Sequence, residues 1–248
     1  EISIYMATIY DPDSRLIKSG PIIMFFFVMV SSLFGPANFS GVWWLYGCLM
    51  ALFFLYVVYM IYWCESFTLF ALSFLSSFVF SFAFSAAGLA HAVLLNDLGI
   101  SDFRAAVINA GLLSAVLILY ICIYFAPSKP HAFQIIENKV SRTSIKSSGT
   151  SPLIISGAAT LVSAIFIGSV SSLTSGVAAV MGLLFACTAL MIYERHTISG
   201  LRTLRIQEKA TSMSYTFMQI EEIRKARSRW LIGRLLKWLV ASCTASET

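Results

Sequence analysis

The feature that most constrains the fold is the segment 66–95, which contains no Asp, Glu, Lys or Arg over thirty residues. About twenty apolar residues are enough for a helix to cross the hydrocarbon core of a bilayer. The segment therefore predicts a transmembrane helix. Small, hydroxyl-bearing side chains recur along one face of it at every fourth position, namely Ser73, Ser77, Ser81 and Ser85. In lipid such residues let helix backbones approach, so we expect this face to be a helix-packing seam, with a water-filled pore lining as the alternative.

The composition of the whole chain agrees with a membrane location. Of its 248 residues, 58% are hydrophobic and only 12% are charged, whereas a soluble domain is roughly one quarter charged. The mean hydropathy is +0.82. A water-soluble globule of this composition would expose very large apolar patches, so lipid must be the solvent for most of the chain. A large soluble domain is excluded.

Hydropathy divides the chain into six predicted spans in a 4+2 arrangement, so the predicted fold is an all-α polytopic membrane protein. The predicted segments are an N-terminal segment (1–20), a four-helix half (21–126), a polar loop (127–152), a helical hairpin (153–193) and a basic amphipathic helical tail (194–248).

Two of these segments leave structural questions open. The first apolar run, 22–34, is short for a span. It crosses if Lys18 snorkels to the interface, and a re-entrant segment or a signal sequence remains the alternative. Within the polar loop we expect a short helix near 133–140.

The basic residues indicate the orientation. With six spans, almost all Lys and Arg fall on the side of the N-terminus, the polar loop and the tail, and Arg104 stands alone on the other side. The positive-inside rule then predicts that both termini are cytoplasmic, most simply in a bacterial inner membrane. The net charge of +5 is explained by this asymmetry, so nucleic acid is not expected as a partner.

Small residues also recur on the two helices of the hairpin. Ala164 and Gly168 lie on the predicted fifth span, and Gly182 lies on the sixth. Their spacing predicts close contact between these two helices.

The tail shows two amphipathic patterns. A heptad-like stripe that includes Phe217 and Ile220 is too short for an independent coiled coil and predicts a partner surface. After it, basic residues and interfacial tryptophans predict a helix lying on anionic lipid headgroups. The members of this second group are Arg224, Arg227, Trp230, Arg234, Lys237 and Trp238.

Four polar residues are candidates for a functional site. Glu65 is the acid most nearly embedded in apolar sequence, although its place at a predicted turn favours a solvated carboxylate over a proton or cation site. His91, Asp97 and Asn109 fall near the outer ends of the third and fourth spans. Helix capping explains them better than a polar vestibule does.

No motif for catalysis, metal binding or cofactor binding is present. The chain has no nucleotide-binding loop, zinc-protease motif or nucleophile elbow, and its three histidines lack ligand spacing. We therefore expect no enzyme, cofactor or metal. The sequence favours a non-catalytic subunit or scaffold of a larger membrane assembly, such as a secretion or export machine, in contact with other membrane-protein subunits. A small-solute or ion transporter or channel is the alternative.

Overall fold

The computed structural model describes residues 11–38, 41–127, 133–142 and 172–230. Within these ranges the long elements are helices, and five helical stretches are long and apolar enough to cross a membrane. The chain is therefore a multi-pass helical membrane protein. The predicted fifth span, 153–170, with Ala164 and Gly168, lies outside the described residues.

The first helix, α1 (Ser14–Ser32), begins earlier than the apolar run suggested. The carboxylate of Asp13 accepts a hydrogen bond from the backbone N–H of Leu16 at 2.7 Å and so caps the helix. Pro21 consequently lies inside α1, as transmembrane helices tolerate. Together with the short α2 (Phe34–Asn38), the stretch Ser14–Pro36 is long enough to span.

The next three helices lie within the predicted four-helix half. They are α3 (Trp43–Tyr62), α4 (Phe67–Asn96) and α5 (Asp102–Phe125). Ser66 caps α4 through its hydroxyl, which accepts from Leu69 N–H at 3.3 Å. Gly99, in the left-handed conformation at φ +61°, lets the chain turn between α4 and α5. Ser101 occupies the N-cap of α5 but makes no capping side-chain bond.

The polar loop forms a hairpin, so the helix expected near 133–140 is wrong. Strands β1 (Phe133–Ile136) and β2 (Lys139–Arg142) pair antiparallel, with Ile135 opposite Val140. Glu137 and Asn138 both have positive φ, which is the backbone of a tight two-residue hairpin turn.

The C-terminal part of the described chain contains one further span and a folded tail. Helix α6 (Ser172–Tyr193) leads into α7 (Arg195–Thr211), strand β3 (Thr216–Phe217) and α8 (Ile220–Arg227). Strand β3 pairs parallel with β2. The heptad-like stripe is thus not one helix, because Ser212 adopts a left-handed conformation and ends α7. The amphipathic segment beyond Trp230, with Arg234, Lys237 and Trp238, lies outside the described residues.

Helix α4 is the centre of the bundle. Half of the residues in its most apolar 18-residue stretch are buried, against 28% in the stretch that includes α1 and 6% in that of α5. It packs against α1, α2, α5, α6 and α7. Its inward side chains, including Leu75, Val79 and Ala83, form a core with α5 and α6. The remaining faces of α3, α5 and α6 expose large apolar side chains, as lipid contact requires.

The β-strands together with α7 and α8 form a small folded unit at one end of the bundle, which we call the cap. Its core joins Val140, Leu201, Phe217 and Ile223 to residues at the ends of the spans, including Phe67. The opposite end of the bundle, where α4 meets α5 near His91, is called the far end.

Candidate functional site

A two-point ion pair joins the cap to the turn between α3 and α4. The guanidinium of Arg224 on α8 donates to both carboxylate oxygens of Glu65, from Nε at 2.9 Å and from Nη2 at 2.7 Å. Such a paired fork geometry fixes orientation as well as adding attraction. The Arg224 guanidinium lowers the pKa of Glu65, and Glu65 in turn raises the pKa of Arg224. Glu65 is thus an anchor for the cap in this structure.

Two other arginines of the cap donate hydrogen bonds to backbone carbonyls at the C-terminal ends of spans. Arg227 is 7% exposed and donates to the Cys64 carbonyl just after α3 at 2.7 Å. Arg202 donates to the Phe125 carbonyl, the last residue of α5, at 3.1 Å. Cations suit helix C-termini because unpaired carbonyls concentrate negative potential there. Burial lowers the pKa of Arg227 and raises that of the Cys64 thiol to about 11.

A third junction secures the amino end of α4. Glu208 on α7 accepts from the Thr68 hydroxyl at 2.7 Å and from the Tyr215 N–H at 2.8 Å. The Tyr215 carbonyl accepts from Phe67 N–H at 2.9 Å. The tail is therefore held on the bundle by both side-chain and backbone bonds.

The predicted partner residues of the tail are mostly occupied within the chain. Phe217 is fully buried against Phe67 and Phe70, and Ile220 is 3% exposed. Trp230 packs edge-on against Tyr62, with its ring 5.8 Å from the Lys18 ammonium. Neither Phe217 nor Ile220 offers a free partner surface.

At the far end, a histidine joins α4 to α5. His91 is 2% exposed, its Nδ1 is 3.0 Å from the Asn109 amide nitrogen, and its Nε2 is 3.1 Å from Asp102 Oδ1. Asp102, rather than Asp97, is therefore the carboxylate beside His91. Asp97 is the C-cap of α4 and lies near Gly176 at the start of α6. His91, Asn109 and Asp102 thus join α4 to α5 beside the turn between these helices.

The four serines on one face of α4, which we call the serine stripe, do not share one environment. The Ser73 hydroxyl lies 2.5 Å from the Tyr56 hydroxyl of α3. Ser77 and Ser81 instead line a cavity between α1, α3 and α4. Ser85 and Gly182 are partly buried. The stripe faces α1 and α3, whereas α6 packs elsewhere on α4.

Helix α5 carries small residues on its outward face. Ala110, Gly111, Ser114 and Ala115 are all exposed, and a Cβ placed on Gly111 would have no atom within 4 Å. The opposite face of α5 is the one that packs inward. We call these four residues the α5 seam.

The sequence did not reveal several of these contacts. Arg227, Glu208 and Asp102 act through partners far along the chain or across a turn, and no local pattern marks such pairs. The α5 seam has a sequence signal, since Ala110 and Ser114 are four residues apart, but its outward direction requires the structure. Across the described ranges, no group of three or more His, Cys, Asp or Glu side chains is arranged to hold a metal ion.

No protein-family model, curated protein or solved structure matches this chain.

Proposed function

We propose that this protein is a non-catalytic integral membrane subunit that holds other membrane proteins through its outward helix faces. The observation that carries the proposal is the α5 seam. Lipid tails are as apolar as Leu, so helices in a bilayer associate where small residues let backbones approach. Four such residues grouped on an exposed face are suited to a second helix rather than to lipid.

The contacts of the cap with the spans also support this proposal. Its contacts with Glu65, Cys64 and Phe125 hold the ends of three spans together through one folded unit. A unit of this kind keeps α3, α4 and α5 in fixed relation. A fixed outward face is what a scaffold requires, because association then costs little ordering of the chain.

We also propose six spans with both termini in the cytoplasm. Val140 lies in the core of the cap, whereas Gly176, near the start of α6, contacts Val93 at the far end. The chain therefore leaves β2 at one end of the bundle and enters α6 at the other, as a fifth crossing between them would require. The arginines and lysines of the cap end supply the positive charge that favours the cytoplasmic side.

A transporter or channel is less favoured by the geometry. Glu65 is paired with Arg224, and His91 lies against Asn109 and Asp102. The cavity beside Ser77 and Ser81 is lined almost wholly by apolar atoms. These were the residues on which a solute path would have depended.

The test is to enlarge the α5 seam. We expect Gly111→Leu and Ala115→Leu to abolish co-purification of other membrane chains in mild detergent, because the added side chains keep a neighbouring helix away. Gly111 has open space around it, so the variant should fold and be expressed normally. Ile118→Leu, on the same exposed face at constant volume, is the matched control.

Two results would count against the proposal. One is unchanged co-purification in both seam variants. The other is a wild-type preparation that contains this chain alone.

A further inference from the structure

Helix α7 carries four basic residues on one face. Arg195, Arg202 and Lys209 follow one another at intervals close to two helical turns, and Arg205 lies about one turn from both Arg202 and Lys209. Arg195, Arg205 and Lys209 are exposed, and Arg202 is partly exposed. We call these four residues the α7 basic face.

The acidic residues nearest in the sequence do not neutralise this face. Glu208, the one acid of α7, lies against the bundle, where it accepts from the Thr68 hydroxyl and from the Tyr215 N–H. Glu194, which precedes α7, is only 7% exposed. None of the salt bridges between described residues involves the α7 basic face. Its positive charge is therefore presented to whatever lies outside the protein.

Arg202 indicates the depth of this face in the membrane. Its guanidinium donates to the carbonyl of Phe125, the last residue of α5, and its Cζ lies 4.6 Å from the centre of the Phe125 ring. Phe125 is 59% exposed at the end of a span, so Arg202 lies where the hydrocarbon core meets the headgroups. The Phe125 carbonyl uses one N–H of a guanidinium that has five, which leaves donors for a ligand.

The start of α7 lies at the end of the neighbouring span. Helix α6 ends at Tyr193, and only Glu194 separates it from Arg195. Ile192 and Tyr193 are 55% and 43% exposed, and tyrosine is favoured at headgroup depth. Arg195 donates through Nε to the His196 ring at 3.3 Å, so its two terminal nitrogens remain for a further acceptor. Exposed apolar side chains and arginines thus occur together at the ends of both spans.

This combination matches the two parts of a phospholipid. Acyl chains pack against exposed side chains such as Phe125 and Ile192, whereas headgroup phosphate oxygens accept from arginine, whose planar guanidinium suits them. Basic groups between transmembrane helices on the cytoplasmic side bind anionic headgroups in this way. A zwitterionic phospholipid carries a cation beside its phosphate, so the α7 basic face attracts it less.

We propose that the α7 basic face binds an anionic phospholipid at the ends of α5 and α6. Arg195 and Arg202 donate to its phosphate, and Arg205 and Lys209 add electrostatic attraction. The surface is distinct from the amphipathic segment around Trp230, for which the sequence predicts headgroup contact. The proposal is independent of association through the α5 seam, because the two sets share no residue. It uses the proposed orientation only to assign the lipid to the cytoplasmic leaflet.

The test titrates the delipidated, full-length protein in mild detergent with dioleoylphosphatidylglycerol, and native mass spectrometry counts the bound lipids. We expect saturable binding that is about tenfold tighter than that of dioleoylphosphatidylcholine, which has the same acyl chains. Arg195→Gln with Arg205→Gln should weaken binding of the anionic lipid about 25-fold, since each cation near the headgroup contributes about fivefold. Arg205→Gln alone should weaken it about fivefold, and this variant covers the case in which the double variant does not fold.

Lys139→Gln with Lys225→Gln is the matched control, because it removes two charges of the cap from β2 and α8 instead. Its affinity should stay within about twofold of the wild type. The proposal is overturned if phosphatidylglycerol binds no tighter than phosphatidylcholine, if the α7 variants keep the wild-type affinity, or if the control loses as much affinity as the double variant. Glycerol 3-phosphate should not bind at the concentration that saturates the lipid. Equally tight binding of it would also overturn the proposal, because it would indicate a site for a soluble phosphate.

Discussion

At the scale of single residues, three arginines join the cap to the membrane bundle. Arg224 pairs with a carboxylate, whereas Arg227 and Arg202 bind backbone carbonyls at the ends of α3 and α5. The planar guanidinium suits both tasks, because it offers several N–H donors in a fixed arrangement. Lysine would not reproduce these contacts.

The Glu65–Arg224 pair can be tested by exchanging its charges. We expect Glu65→Arg alone to loosen the cap and the double variant Glu65→Arg with Arg224→Glu to recover it. The side chains are 39% and 50% exposed, so solvent screening limits the contribution of the pair to about 1 kcal/mol or less. Hydrogen exchange of the α8 amides measures the effect.

Glu221→Gln is the control for the charge exchange, since Glu221 contacts the same arginine from within α8 at 3.1 Å. Glu221→Gln should change the hydrogen exchange of the α8 amides little. If the double variant is no better protected than the single one, the pair does not hold the cap.

The same pair predicts a pH dependence. The pKa of Glu65 is lowered in the folded protein by Arg224, so its contribution is complete above the ordinary glutamate pKa of about 4.3. It is lost as the pH falls through the lowered value. The difference in thermal stability between wild type and Glu65→Gln should therefore shrink between pH 7 and acidic pH. A difference that is independent of pH would contradict this assignment.

At the scale of elements, the five described spans were predictable, apart from the earlier start of α1, because hydropathy and capping are local. Asp13, Ser66 and Gly99 act within a few residues of the helix ends that they define. The cap was not predictable, because β2 pairs with β3 across a long stretch of sequence, as Val140 and Phe217 show. The stripe through Phe217 had the spacing of a helix, yet only Phe217 and Ile220 face the core of the cap, whereas Ile206 and Met213 are more than half exposed.

The same distinction applies to the candidate site. Sequence spacing placed His91, Asp97 and Asn109 near one another, but the turn decides which carboxylate reaches the imidazole. Asp102 lies beside His91 because it begins α5. Close helix contact was expected along the whole serine stripe, whereas Ser77 and Ser81 border a cavity. Only the position of α1 and α3 determines that outcome.

One glycine fixes how α2 lies on α4. A Cβ at Gly88 would lie 2.2 Å from Phe34 Cβ, which is far inside contact distance. We expect Gly88→Ala to destabilise the protein by about 1–3 kcal/mol through overpacking, measured by thermal unfolding in detergent. The double variant with Phe34→Gly, which removes that Cβ, should recover part of the loss.

Gly47→Ala provides the matched control, because no atom lies within 4 Å of a Cβ at that position of α3. It should be neutral or slightly stabilising, since alanine is the better helix former. Equal stability of Gly88→Ala and Gly47→Ala would show that α2 does not rest on α4 as described.

At the scale of the whole molecule, the arrangement predicts which surfaces share a side of the membrane. Gln134 on β1 and Lys225 on α8 belong to the cap, whereas Leu98 lies at the far end and is 51% exposed. Single cysteines at Gln134 and Lys225 should react with a membrane-impermeant maleimide from one side, and one at Leu98 from the other. The native cysteines are replaced by alanine in all three.

A label that reached Gln134 and Lys225 from opposite sides would contradict the fold of the cap. Labelling of Leu98 from the same side as Gln134 would contradict the proposed crossing of α4. In right-side-out vesicles, we expect reaction at Leu98 alone, because the positive cap end is proposed to be cytoplasmic.

The central claim is that the outward face of α5 holds other membrane proteins. Native mass spectrometry of the protein, released from its own membrane in mild detergent, tests it most directly. We predict particles heavier than the 27.4 kDa chain that contain at least one different polypeptide, and their loss in Gly111→Leu. Particles built from this chain alone, in any copy number, would contradict the claim.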